Sequence, residues 1–288
     1  MTDFRVEDHM PSVFLVAEEA SQRGQTRFKR ATLVALVLLV VAAVFGLVEE
    51  PWAGWVSGMA FAGSILASWL IFFRDAEDDW YDGRAVAESA KTLTWKYAVG
   101  GEPFEITQPD SETAYDRALA AVVEEIRTLR GSVAAPAGAT ETDKLRVLRE
   151  EPLKVRCEVY RKQRLVDQRA WYSRRGSEHR STARAWQIVA VVFQAAGLVG
   201  ALLKGIDIVR VDLLSVFAAA GAGAVAWLAA GDYVKTARAY ELTTLELDNV
   251  LGIVNRIDDE DAWATFVADA EQTMSREHTA WLARRRGP

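Results

Sequence analysis

Cysteine occurs once in the 288 residues, at Cys157, so an internal disulfide framework and a cysteine-built zinc site are both excluded. Histidine occurs three times (His9, His179, His278), with neither an H-E-x-x-H nor a helical E-x-x-H spacing, and no metal site is expected. A basic excess is missing too. The 34 Lys and Arg stand against 40 Asp and Glu, a net charge of −6, which is the wrong sign for a nucleic-acid footprint. Glycine and proline are present at ordinary levels (19 and 7), which excludes collagen-like and disordered classes. Strand-like alternation of any length is absent. Charge is absent from four long stretches, and this last absence rules out an ordinary soluble domain.

Those stretches are Ala31–Val48, Ala53–Phe73, Ala185–Leu203 and Leu213–Gly231, each 18 to 21 residues without Asp, Glu, Lys or Arg. A helix needs about 20 apolar residues to cross the hydrocarbon of a bilayer. Its backbone amides must also be satisfied within the segment, so each run is expected to be a transmembrane helix. The runs pair as two hairpins. Glu49-Glu50-Pro51-Trp52 joins the first pair, and Lys204 to Asp212 joins the second. Basic residues flank the opposite ends: Arg27, Lys29, Arg30 and Arg74, then Arg174, Arg175, Arg180, Arg184, Lys235 and Arg238. The positive-inside rule places these ends, and both termini, in the cytoplasm. Lys204 and Arg210 in the second connection dissent mildly. Trp52 and Trp55 at one interface, and Trp69, Trp186 and Trp227 towards the other, suit aromatic belts. Residues 1–26 are polar and acidic and read as a cytoplasmic segment rather than a signal peptide.

The remainder reads as helix. A segment from Asp75 to Val99 continues from the second run and stops at Gly100-Gly101 and Pro103. The next carries Tyr115, Leu119, Val122, Ile126 and Leu129 at 4-3-4-3 spacing, a coiled-coil-like seam, and stops at Gly131. Residues 132–140 (SVAAPAGAT) are the best linker in the chain, dividing it into modules at 27–131 and 141–288. Helix resumes at Glu141, is interrupted at Pro152 and runs from Leu153 into the third span. A helix from Asp232 to Arg256 and a last one after Asp259-Glu260-Asp261 complete the pattern. Residues 74–131 hold 7 basic and 13 acidic groups, and residues 141–184 hold 13 and 7. The two blocks either pair in space or form solvated faces, one of them drawn to anionic lipid.

Three stretches carry a resemblance. DWYDGRAVAESAKTLTWKYAVGGEPF, Asp79 to Phe104, is similar to the characteristic part of one SLATT subfamily. YRKQRLVDQRAWYSRR (Tyr160 to Arg175) and FVADAEQTMSREHTAWLARR (Phe266 to Arg285) resemble a second SLATT subfamily. The residues that carry it are Trp80, Arg84, Glu88, Lys91 and Trp95, then Tyr160, Arg164, Gln168, Trp171 and Tyr172, then Glu271, Arg276, Glu277, His278 and Trp281. SLATT modules are paired-helix membrane modules associated with SMODS nucleotidyltransferases and SLOG sensors. The resemblance implies a membrane effector of a nucleotide-triggered defence system that perturbs or perforates the membrane. It implies as partners the bilayer, further copies of the chain, and a nucleotide messenger or a separate sensor protein.

Within the spans, Ser57, Ser64 and Ser68 lie on one stripe of the second run, with Gln194 in the third and Ser215 in the fourth. They line a path or make packing hydrogen bonds. Glu49 and Glu50 form an outer mouth in an oligomer or an ordinary polar turn. Asp75, Glu77, Asp78 and Asp79 guard an inner vestibule or form a solvated face. Gly221 to Ala226 matches G-x-G-x-x-A, but it sits inside a span with no strand before it, so close helix packing is the expected role. Arg161, Arg164 and Arg169 would suit a phosphate by charge alone. No nucleophile or phosphate loop accompanies the Glu/His pair near the C-terminus, so neither enzymatic activity nor a cofactor is expected. The expectation is an all-α membrane protein with four spans in two hairpins and long cytoplasmic helical extensions. It would act as a homo-oligomeric pore-forming effector or as a non-conducting scaffold.

Overall fold

A computed structural model describes the backbone of residues 4–73, 76–130 and 142–285, and the side chains of 4–71, 77–124 and 143–275. Asp75 and the linker 132–140 lie outside the described residues, as do the side chains of Ile126, Leu129, Arg276, Glu277, His278 and Trp281. Among the described residues there is helix and no strand. The helices are α1 (Ser12–Phe45), α2 (Pro51–Phe73), α3 (Ala76–Val99), α4 (Ser111–Arg130), α5 (Thr142–Arg149), α6 (Leu153–Tyr160), α7 (Asp167–Gly205), α8 (Leu213–Gly231), α9 (Tyr233–Ile253) and α10 (Glu260–Arg285). Four stretches, Ser12–Phe45, Pro51–Ile71, Leu153–Gly205 and Leu213–Arg256, are long and apolar enough to cross a membrane, and each overlaps one of the four uncharged runs. The first span's helix stops at Phe45, three residues before its apolar run ends, because residues 46–48 turn back to bond the carbonyls of Ala42, Val44 and Phe45.

Helix ends follow local chemistry. Pro51 opens α2, where its missing N–H costs nothing, and the first amide bond of the helix runs from Ala53 to the Glu50 carbonyl. α3 ends in paired bonds from Gly100 to Tyr97 and from Gly101 to Lys96. This is the Schellman pattern, and it needs Gly100 at φ +77. The sequence reads as uninterrupted helix from Leu153 into the third span. Residues Arg161–Val166 are instead π-helical, one wide turn between α6 and α7.

The chain folds as two compact units, each drawn from both halves of the sequence. The first comprises 1–22, 79–174 and 239–288. Its core is aromatic. Tyr97 stacks on Tyr115 with ring centroids 4.6 Å apart, and Tyr160 meets Trp95 edge-on at 5.8 Å and Trp263 at 5.7 Å. Tyr115 and Leu119, the first two positions of the predicted seam, are buried in this core, so the described part of the seam packs within one chain.

The second unit comprises 23–78 and 175–238 and holds the four uncharged runs. Its helices turn large apolar side chains outward, among them Trp55, Val191, Leu198 and Leu202, as segments solvated by lipid do. α7 and α8 approach closely at Gly200, where an added Cβ would lie 2.8 Å from the Leu213 Cβ.

Candidate functional site

Two places in the fold concentrate the residues that the sequence singled out. In the second unit they lie at the helix contacts of the spans. Ser57 donates to the Ala42 carbonyl at 2.8 Å, and Ser64 donates to the Ala35 carbonyl at 3.0 Å. Both hydroxyls therefore tie α2 to α1. Ser68 is half-buried and Gln194 is exposed. Ser215 donates to Asp212 across the first turn of α8. Glu49 and Glu50 are exposed in the turn of the first hairpin. Glu77 is exposed and Asp78 half-buried at the start of α3, and Asp79, also half-buried, belongs to the first unit. An apolar cleft of about 760 Å³ lies among α1, α2 and α8. Leu36 and Leu39 contribute from α1, Gly54, Ser57 and Gly58 from α2, and Ala222, Gly223 and Ala226 from the rejected dinucleotide motif. Cβ atoms added at Gly54, Gly58 or Gly223 would meet nothing within 4 Å.

In the first unit the family residues converge on a buried ion pair. Glu271, from α10, has no exposed surface. Arg164, from the π turn, gives it a fork of two bonds, Nε at 2.9 Å to one oxygen and Nη2 at 2.6 Å to the other. The Tyr160 hydroxyl adds a third donor at 3.0 Å and the Thr92 hydroxyl a fourth at 2.9 Å. A two-pronged guanidinium–carboxylate pair is the strongest common arrangement for two buried charges. Burial would lower the Arg164 pKa, but the Glu271 charge and its hydrogen bonds outweigh that and hold it above the ordinary value. Burial, and then the Glu271 charge, raise Tyr160 well above a normal phenol. Lys91 sits nearby, 3.7 Å from Glu7. Burial, and then Arg164, lower its pKa against the pull of Glu88, Glu7 and Glu271. Two buried donors, Arg164 Nη1 and Trp95 Nε1, have no acceptor among the described residues.

Other family residues surround this centre. The Tyr172 hydroxyl donates to the Met274 carbonyl at 3.2 Å. Trp171 and Tyr172 pack edge-on against Tyr240, and the Arg84 guanidinium lies 5.9 Å from the Trp171 ring centre. Trp80 is buried, and its carbonyl accepts from Ser21. Gln168 is half-buried.

The proposed phosphate-binding trio is spent on carboxylates. Arg164 holds Glu271, Arg161 holds Glu158 at 3.0 Å, and Arg169 holds Asp248 at 2.9 Å. The Arg161 and Lys162 hydrogen bonds keep the Glu158 carboxyl at about 2, although the Arg161–Glu158 pair is only half-buried. The buried arginines of the basic block also have partners away from the acidic block's carboxylates. Arg149 gives bonds to the carbonyls of Tyr97, Phe104 and Glu105 and to the Ser111 hydroxyl. Arg156 holds Glu260 and the Val99 carbonyl. Sequence reasoning missed Arg149, Arg156 and Thr92, because nothing in a sequence marks which arginine of a basic run turns inward.

Comparison with known families decides what these modules are. Residues 11–157 match the model described as SMODS and SLOG-associating 2TM effector domain 3, and residues 160–281 match effector domain 1 of the same series. The chain belongs to the SLATT family. It carries two SLATT modules in tandem, and the residues that hold Glu271 come from both, Thr92 from the first and Tyr160 and Arg164 from the second. No curated protein and no solved structure matches it.

Proposed function

We propose that this SLATT protein is a homo-oligomeric, pore-forming or membrane-perturbing effector of a nucleotide-linked bacterial defence system. In this reading it lies in the inner membrane with both termini in the cytoplasm, and it does no enzymatic chemistry. One observation carries the reading: two modules described as 2TM effector domains are joined in a chain whose second unit is a four-span assembly. The cleft beside Gly58 and Gly223 supports assembly. Small residues let helix backbones approach in lipid, where association depends on packing rather than on the hydrophobic effect. A water path would have to be completed by several copies, since the polar span residues Ser57 and Ser64 are spent on α1 carbonyls.

That last fact also favours the second reading, a scaffold or signalling subunit that never conducts. With Arg161, Arg164 and Arg169 each paired to a carboxylate, the trigger in either reading is a separate sensor protein or a nucleotide bound elsewhere. Reconstitution into liposomes separates the two readings. Under the effector reading the protein releases a trapped dye or carries current. Gly58→Leu with Gly223→Leu, which adds bulk where nothing stands, inserts normally but loses both the oligomer and the flux. A parent protein that assembles without flux under every trigger tried would leave the scaffold reading.

A further inference from the structure

The polar N-terminal segment, read from sequence as a simple cytoplasmic lead, is docked into the first unit. Residues Val6–His9 make one 3-10 turn packed against α5. Val6 is fully buried in the aromatic core, and Met10 nearly so. The backbone on either side of Arg5 is gripped by one side chain. The Gln163 amide donates to the Phe4 carbonyl at 2.6 Å and accepts from the Val6 N–H at 3.2 Å. Glu7 reaches Lys91 at 3.7 Å. Two-point backbone recognition, one apolar anchor and one charge pair are elements by which grooves bind short peptides. The gripping residue stands in the π turn, next to Arg164, which holds Glu271. Wide turns of this kind recur at functional sites.

We propose that residues 4–10 are a detachable strap: the chain's own N-terminal peptide occupies a peptide-binding groove built on the π turn, and its release is a regulatory step. Only the control that release exerts rests on the effector reading; the groove and its occupant do not. The strap is suited to leave. Its described backbone bonds to the rest of the unit come from a single side chain, its outer residues Arg5, Glu7 and Asp8 are exposed, and it offers one fully buried anchor. Such segments occupy the low end of a protein's local stabilities and open without global unfolding.

Two experiments on the protein in detergent micelles test this. In the full chain, Gln163→Ala should lower the hydrogen-exchange protection of the Val6 amide at least tenfold while α10 amides keep theirs. Unchanged protection, or loss in the strap and α10 together, would overturn the proposal. In a chain starting at Ser12, a fluorescent peptide of residues 1–12 should bind saturably. It should bind the full chain at least tenfold more weakly, because the tethered strap competes. The same peptide carrying Val6→Asp should lose at least tenfold in affinity. If the shortened chain keeps its α10 protection and fails to bind the peptide, the groove does not exist as a site. Neither readout requires conduction, so a protein that never conducts still decides the question.

Discussion

Replacing Arg164 by Met removes the fork that holds a carboxylate with no exposed surface. Glu271 is left with the Tyr160 and Thr92 hydroxyls, two neutral donors where two charge-assisted bonds stood. Removing one partner of a buried ion pair typically costs about 3–5 kcal/mol, because the other charge stays behind in a medium that solvates it poorly. At about 2–4 °C per kcal/mol for a unit of this size, the first unit should melt roughly 6–20 °C lower. Glu271→Gln should cost a similar amount by stranding the guanidinium. The double variant Arg164→Met with Glu271→Gln carries no charge at this site, and its amide oxygen still accepts from Tyr160. It should be more stable than the sum of the single effects by at least about 3 kcal/mol, the lower end of that penalty. Denaturant unfolding in detergent, followed by the fluorescence of the buried Trp95 and Trp263, gives the three values needed. Additivity within about 0.5 kcal/mol is the behaviour of independent sites and would refute the buried pair.

Three further outcomes are expected. Ser64→Ala should cost about 0.6 kcal/mol for one interhelical bond in lipid, whereas Ser64→Leu should cost about 1–3 kcal/mol by forcing α2 off α1, both measured as thermal stability in detergent. Burial, and then Arg164, hold Lys91 below its ordinary 10.5 in the folded protein, so in the window below 10.5 the unfolded chain binds more protons. Stability should therefore rise with pH through that window, the gain being complete above 10.5, and a pH series of denaturant titrations should lose this component in Lys91→Met. In a Cys157→Ser background, a cysteine at Glu50 should react with an impermeant maleimide from outside the cell, and labelling from the cytoplasmic side alone would invert the proposed topology.

The spans and the helix ends were legible because their signals are local. Run length against bilayer thickness marks a span, and Gly100-Gly101, Pro51 and Pro152 mark ends through their own backbone restrictions. The buried centre was legible only in part. Tyr160, Arg164 and Glu271 were singled out by resemblance, but their meeting depends on a long-range packing that no spacing encodes. Thr92 passed as an ordinary helix residue. The strap carried a weak signal, since Val6 and Met10 are isolated apolar residues in an acidic stretch. The π turn carried none, since RKQRLV contains no glycine or proline. The seam was legible as a set of apolar positions, and Tyr115 and Leu119 are buried in the aromatic core of the same chain.

The two family matches meet between residues 157 and 160, inside the first compact unit and immediately before the π turn. The modules are thus units of sequence and not of folding. The first module supplies the Val99 carbonyl, which accepts from Trp263 at 2.8 Å, and the Glu102 amide, which donates to the Ala264 carbonyl at 3.1 Å. It supplies Thr92, which donates to Glu271, and Arg156, which pairs with Glu260. Each of these partners comes from α10. Without α10, Tyr160 lacks the Trp263 ring, and the Arg164 guanidinium lacks the carboxylate that accompanies it into the core. An isolated first module would have to find an equivalent of α10 in another chain, because leaving that aromatic surface bare costs about 25 cal/mol for every Å² exposed to water. Joining two modules in one chain turns that search into an intramolecular contact, which is favoured by the high effective concentration of tethered parts.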